Sequence, residues 1–351
     1  MHCDLSVGKK INNIVNKVGV RRAVATVLWE GIHVTKVAVT QAFFGRHPIL
    51  RAELLAKYPD VTFKQADSIL EGQELIDFLR GHDKVIMSID KLTRDVIEAL
   101  PELKVVSKFG VGMDSVDVKA MADHGIKLGW QGGINKRTVS EMALCYMLLL
   151  VRQYSAANLD MRQGIWKRRP GRTLSERTIG ILGCGFIGQD LARLLRAMGC
   201  TVLAHDIRDH PEFYEETGVL PVSLGELLER SELITVHLPN TKLTRGIMSA
   251  ERLARMQPGS ILVNTARGGL IDEDALLAAL ESGHIASAAI DAFLAEPTDQ
   301  QELVNHPNFF STPHMGGLSE EAVMAMGRQA IAGLDDHRLP TPDWPSDVWE
   351  D

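Results

Sequence analysis

Between residues 177 and 206 the chain reads RTIGILGCGFIGQDLARLLRAMGCTVLAHD. An Ile-rich run, three glycines spaced GxGxxG, an amphipathic segment carrying Leu191, Leu194, Leu195 and Met198, and a second apolar run follow one another directly. Those lengths suit a strand, a tight turn, a helix and a parallel strand, which commits this part of the chain to a helix-covered parallel sheet. Gly183 permits the turn, Gly185 lets the backbone approach a diphosphate, and Gly188 lets the helix lie close on the sheet. The helix N-terminus, beginning at Phe186 and Ile187, then faces that diphosphate. Asp206 ends the second strand, where a carboxylate accepts hydrogen bonds from an adenosine ribose and repels a 2′-phosphate. NAD is therefore expected in preference to NADP, with Arg208 as a solvated surface residue and Cys184 as a small filler of the loop.

The same alternation of β-rich and helical stretches runs through most of the chain from Lys36, in two consecutive sets. KVAVT (36–40), VTFKQ (61–65), KVIMSI (84–89), KVVSKFG (104–110) and KLGWQ (127–131) are the strands of the first. RTIGILG, TVLAHD, LITVHLP, SILVNTA, IASAAIDAF and FFSTPH are those of the second, rich in Ile, Val and Leu as strands covered on both faces are. A long, mostly helical stretch with an apolar centre, 136–163, joins the sets. The fold expected is α/β: two Rossmann-like or flavodoxin-like parallel-sheet domains with an interdomain cleft. The substrate domain is discontinuous, 37–134 plus 318–351, and the NAD-binding domain is 135–317. Residues 1–36 carry six Lys or Arg against Asp4 and Glu30, lack a secretory pattern, and read as a poorly ordered extension. The Pro-rich, acidic tail PTPDWPSDVWED reads as a loose end on the surface.

Composition narrows the function. With 351 residues the chain suits two domains, and a net charge of −7 supplies no basic field for nucleic acid or an anionic membrane. The longest apolar run, 142–151, is well short of the roughly 20 residues needed to cross a bilayer. Cys3, Cys145, Cys184 and Cys200 have no CxxC spacing, so they read as thiols of a reducing compartment, the cytoplasm, and as no metal framework.

Further motifs follow in a fixed order: GVGMDSVD (110–117), VSE (139–141), HLP (237–239), NTARGGLIDEDAL (264–276), AAIDAFLAEP (288–297) and TPHMGG (312–317). Together with the glycine loop they resemble the D-isomer-specific 2-hydroxyacid dehydrogenases, of the phosphoglycerate dehydrogenase-like kind without a regulatory C-terminal domain, over roughly 36–334. The resemblance implies Arg267, Glu296 and His314 as catalytic residues. It implies that the backbone N–H groups of Val111 and Gly112 hold a substrate carboxylate together with Arg267. On the cofactor side it implies His237 and Pro239 at the adenine, and Thr265, Ala266, Arg267, His314 and Gly316 along the nicotinamide half. Asp291 would meet the nicotinamide carboxamide, with Val139 packing nearby. It further implies a homodimer acting on a small 2-hydroxy or 2-oxo acid.

The chemistry asks for these residue types in its own right. A histidine titrates near neutrality and can exchange a proton with a hydroxyl, and a carboxylate on its other ring nitrogen fixes the tautomer. An arginine offers a rigid fork of donors for a carboxylate and a developing oxyanion. Substrate identity is left open by the departures from the family pattern. Met87 stands before Ser88 where phosphoglycerate-type members often place an arginine, Lys108 is a basic residue that would meet a distal acidic group, and Trp130 with QGG replaces the usual TPG. Lys167, Arg168, Arg169 and Arg172 read as a solvated basic loop; the sharper alternative sends one of them across the cleft to a second anion. An NAD(H)-sensing, corepressor-like interaction protein on the same fold is the other functional class.

Overall fold

The computed structural model describes residues 34–345. The expectations for residues 1–33, for Cys3 and for Trp349 lie outside the described residues.

Runs of β-branched residues make two sheets in which every pairing is parallel. The first comprises β1 (Val37–Val39), β2 (Val61–Phe63), β3 (Lys84–Met87), β4 (Val105–Lys108) and β5 (Lys127–Gly129), in the order β2-β1-β3-β4-β5. The second comprises β6 (Thr178–Leu182), β7 (Thr201–His205), β8 (Leu220–Pro221), β9 (Leu233–Val236), β10 (Ser260–Asn264), β11 (Ile285–Ile290) and β12 (Phe309–Ser311), in the order β12-β11-β10-β9-β6-β7-β8. The first order is that of flavodoxin. The second is the doubly wound dinucleotide-binding order with one further strand at its edge, reversing direction between β6 and β9.

Alternation along the strands fills both faces of both sheets. Ile179, Ile181, Val202 and Val263 enter one core of the second sheet, and Leu182, Leu203, Ile234 and Leu262 the other. In the first sheet Ala38, Val85 and Met87 face one layer, and Val37, Val39 and Ile86 the opposite one. Met87, at the position before Ser88, is thus wholly buried in a core.

The helix Lys136–Val151 leaves the first sheet and packs on the helix Phe186–Ala197 of the second. The helix Glu320–Gly333 returns and packs on β4 and β5, where Ser107 Oγ donates to Ala330 O at 2.7 Å. The two crossings meet where Thr138 and Ser319 share a hydroxyl hydrogen bond of 2.9 Å.

The stretch 136–163 is mostly helical as expected, in two helices, Lys136–Val151 and Tyr154–Arg162, broken where Gln153 adopts a left-handed φ of 54°; no Gly or Pro marks the break. Two expectations are corrected. β8 adds a strand too short, and too dependent on Pro221, to carry a β pattern. The tail is not loose as far as it is described, because Trp344 packs edge-on against Trp130 and lies under the Arg338 guanidinium.

Gly129 and Gly333 bring β5 and the returning helix into backbone contact, and a Cβ on Gly129 would lie 2.2 Å from Gly333 O. Backbone cannot move aside as a side chain would, so Gly129→Ala is expected to destabilise the fold by about 2 kcal/mol or more, read from urea unfolding midpoints at unchanged m.

Candidate active site

Parallel strands deliver all of their following loops to one edge of a sheet, and the candidate residues sit in those loops. After β6 comes the glycine loop. Gly183 has φ 99°, and a Cβ there would strike His237 O at 2.6 Å. Gly188 lies against Gly183 O, whereas nothing of the protein lies within 4 Å of a Cβ on Gly185. The helix Phe186–Ala197 starts from Gly185 with no side-chain cap, so its first amides are available to an anion. A bare backbone corner under an uncapped helix is what a diphosphate needs.

Asp206 follows β7, its carboxylate oriented by Cys184 N at 2.6 Å and Arg208 N at 2.9 Å. It borders a cavity of about 550 Å³ whose walls include Gly185, Arg208, His210, His237 and Pro239. Burial pushes His237 down to about 3, so its ring is neutral; Nε2 pairs with Thr235 Oγ1 at 2.8 Å, and Nδ1 is buried without a partner. Cavity, oriented carboxylate and orphaned nitrogen together fit the adenosine half of a dinucleotide. Burial drives the Cys184 thiol up to about 12, which leaves it protonated and unreactive, in keeping with a filler.

The catalytic candidates come from three successive loops. Arg267, after β10, is held at two points: Nε donates to Asp114 Oδ2 at 2.7 Å and Nη1 to Ala266 O at 2.8 Å. Its Nη2 presses on Gly112, where a Cβ would be 2.1 Å away. Arg267 and the loop beginning at Gly110, which come from different sheets, therefore meet across the cleft. Asp114 was not singled out in the sequence, although it stands in the motif GVGMDSVD; its signal was the acidic residue two positions after Gly112.

His314, after β12, hydrogen-bonds Glu296 through Nδ1, at 2.8 Å to Oε2 and 3.0 Å to Oε1. With Nδ1 on the carboxylate, Nε2 is left for the cleft. Glu296 Oε1 also accepts from Phe293 N at 3.0 Å. The hydrogen bond to Glu296 raises the His314 pKa, against burial and the Arg267 charge, with Asp291 adding to the rise. Burial alone would raise Glu296, but His314, Phe293 N–H and Arg267 hold it below its ordinary value.

Asp291 is 1% exposed and lies beneath the histidine loop. It accepts from Met315 N at 2.9 Å, from Gly316 N at 2.8 Å and from the Thr312 hydroxyl, which in turn meets Tyr146. Its observed work is to pin the loop that presents His314. Val139 comes up against Gly316, and Thr265 is nearly buried with an unpartnered Oγ1.

Lys108 lies buried within reach of the Arg267–Asp114 charges, and the basic loop falls elsewhere. Lys108 is 2% exposed, donates to Ser88 O, and is pushed down to about 8 by burial. In the basic loop Arg169 is tied to Asp160 at 2.7 and 3.1 Å, and Arg172 faces a recess with Gly259 and Asn308, which precede β10 and β12. That edge of the sheet is opposite the one bearing Arg267 and His314, so the cleft-crossing alternative is not supported.

Residues 144–316 match the family model described as the D-isomer specific 2-hydroxyacid dehydrogenase, NAD binding domain. The chain is 36% identical over 268 residues to a hydroxypyruvate reductase of Thermotoga maritima, covering 75% of this chain and 87% of that one. It is 38% identical over 262 residues to a D-3-phosphoglycerate dehydrogenase of Methanocaldococcus jannaschii, covering 74% of this chain and 50% of that one. It thus spans about half the length of the phosphoglycerate dehydrogenases it matches. Among solved structures, a D-lactate dehydrogenase of Aquifex aeolicus in complex with NAD and lactic acid superposes with a TM-score of 0.77 at 25% identity, over 85% of this chain and 94% of that one. The fold and site define a nucleotide-binding α/β protein of two domains. The chain belongs to the D-isomer-specific 2-hydroxyacid dehydrogenase family.

Glu296→Gln removes the charge that holds the His314 proton, leaving burial and Arg267 to act. A fall in the His314 pKa is expected in that variant, followed by the imidazole proton resonances against pH.

Proposed function

We propose that the protein interconverts a D-2-hydroxy acid and its 2-oxo acid with NAD as the redox partner. The observation that carries this reading is the His314–Glu296 pair, with Nδ1 tied to the carboxylate, together with Arg267 Nη2 lying on the side of Gly112 that a Cβ would fill. Bound NADH supplies the hydride. In the reducing direction the Val111 and Gly112 amides and Arg267 Nη2 hold the substrate carboxylate, and protonated His314 gives the Nε2 proton to the 2-oxo oxygen as negative charge develops there. Glu296 stabilises the imidazolium before transfer, and neutral imidazole remains afterwards. In the oxidising direction the same nitrogen accepts the hydroxyl proton.

The substrate we infer is a short acid without a distal anion. Met87 lies in the core, Lys108 is turned back onto Ser88 O, and Arg169 and Arg172 occupy other parts of the surface. We also infer that a second copy of the chain covers the exposed apolar residues Tyr154, Leu159, Met161, Ile165 and Trp166, the last 80% exposed.

The test is NADH oxidation against glyoxylate, hydroxypyruvate, pyruvate, phosphohydroxypyruvate and 2-oxoglutarate. Turnover of the first three is expected to exceed that of the two acids with a distal anion by about tenfold or more in kcat/KM, as an unmatched buried charge costs about 1.4 kcal/mol or more. Tight NADH binding without turnover of any acid would favour a sensor. His314→Ala should bind NADH normally and lose about two to four orders of magnitude in kcat. Because His314 is raised, reduction should persist to higher pH than an ordinary imidazole allows and fail as the pH passes through the raised pKa, while oxidation rises over the same interval. For the assembly, Trp166→Glu should convert a dimer to a monomer in sedimentation.

A further inference from the structure

Trp130 sits where β5 runs into the first crossing between the domains, and its indole Nε1–H donates to Val111 O at 2.9 Å. The peptide from Val111 to Gly112 is trans, so its C=O and N–H point in opposite directions. Fixing the carbonyl on Trp130 therefore aims the Gly112 N–H away from Trp130. Gly112 is also the residue on which Arg267 Nη2 presses. Neither the Val111 nor the Gly112 amide donates to another group among the described residues.

Trp130 is itself held from behind. The Trp344 ring meets it edge-on, with centroids 6.0 Å apart at 67°. Arg338 lies 3.9 Å over the Trp344 ring and pairs with Leu128 through both backbone groups, at 2.8 and 3.1 Å. Trp344 is fixed by reciprocal backbone hydrogen bonds with Thr341 at 2.7 and 2.9 Å. On the other side Gly132 is wedged between Trp130 and Phe186, the first residue of the helix after the glycine loop. The indole, which also packs on the core of the first sheet, is thus braced on two sides and bonded to one carbonyl.

We propose that Trp130 is a positioning residue for the substrate carboxylate: its indole N–H sets the plane of the peptide between Val111 and Gly112, and the segment around Trp344 holds the indole in place. The inference rests on the reading of residues 110–112 as the carboxylate-binding loop. It makes the C-terminal segment, remote in sequence, part of the substrate site.

A wall of a side-chain pocket would discriminate among substrates, whereas a residue that orients the carboxylate clamp acts on all of them alike. Trp130→Phe keeps a ring and removes the donor. It is expected to raise KM for glyoxylate, hydroxypyruvate and pyruvate by a common factor of about three to ten, the range of one neutral hydrogen bond, with NADH affinity unchanged. Amide hydrogen exchange across residues 109–114 should quicken in the same variant. Trp344→Ala, which leaves the loop and the indole intact, should shift both readouts in the same direction by a smaller factor. Unchanged exchange in Trp130→Phe, or a KM effect confined to the bulkier acids, overturns the proposal. If the wild type turns over no 2-oxo acid, the functional reading fails; the exchange measurement, with oxamate added to the NADH complex as a carboxylate probe, still decides whether Trp130 sets the loop. Absence of oxamate protection in the wild type, or equal protection in Trp130→Phe, counts against it.

Discussion

A parallel sheet can only be built with crossovers, and crossovers place every loop that follows a strand at one edge. Here two such sheets contribute to one cleft. From the first come Ser88 and the loop beginning at Gly110; from the second come the glycine loop, Asp206, His237, Arg267, Asp291 and His314. No single stretch of chain holds the site. What makes it one site is the contact between the sheets, of which the Arg267–Asp114 ion pair is the direct expression, each partner belonging to a different sheet domain. Arg267 has its donors oriented by that contact, so a guanidinium that would otherwise sample many rotamers is presented in one.

The same contact orders the charges. Arg267 lowers both His314 and Glu296, Asp291 raises His314, and Asp114 and Arg267 act in opposite senses on buried Lys108. The His314 pKa is raised because its hydrogen-bonded carboxylate outweighs burial and the arginine. This balance suits a group that must hold a proton until a carbonyl oxygen needs it, and accept one in the reverse direction.

Much of this was legible in the sequence. The periodicity from β1 to β12 located nearly every strand, because strands buried on both faces read as continuous runs of Val, Ile and Leu. The glycine loop and Asp206 announced the nucleotide end, since turn, approach and close packing each demand a residue without a side chain. What could not be read were contacts between residues far apart in the chain. Asp114 is an ordinary acid until Arg267, 153 positions away, is set beside it. The burial of Lys108 was not legible either, because no pattern says that a lysine at a strand end turns back onto a neighbouring carbonyl. Asp291 showed its motif but not its three donors. The break at Gln153 had no glycine or proline to mark it, and the tail looked unattached because the partner of Trp344 is Trp130.

His314 adopts φ 49°, in the left-handed region that residues other than glycine and asparagine enter at a cost of about 1 kcal/mol. The strain is maintained by its own amide, which donates to Asp291 O at 2.8 Å and Thr312 O at 3.1 Å, and by the buried Asp291 carboxylate, which accepts from Met315 N. Of the twenty residues, the ones most comfortable in that conformation cannot move the proton, and the one that can is held there by its surroundings. Replacing His314 by glycine or asparagine would relax this backbone strain and remove the imidazole that Glu296 holds.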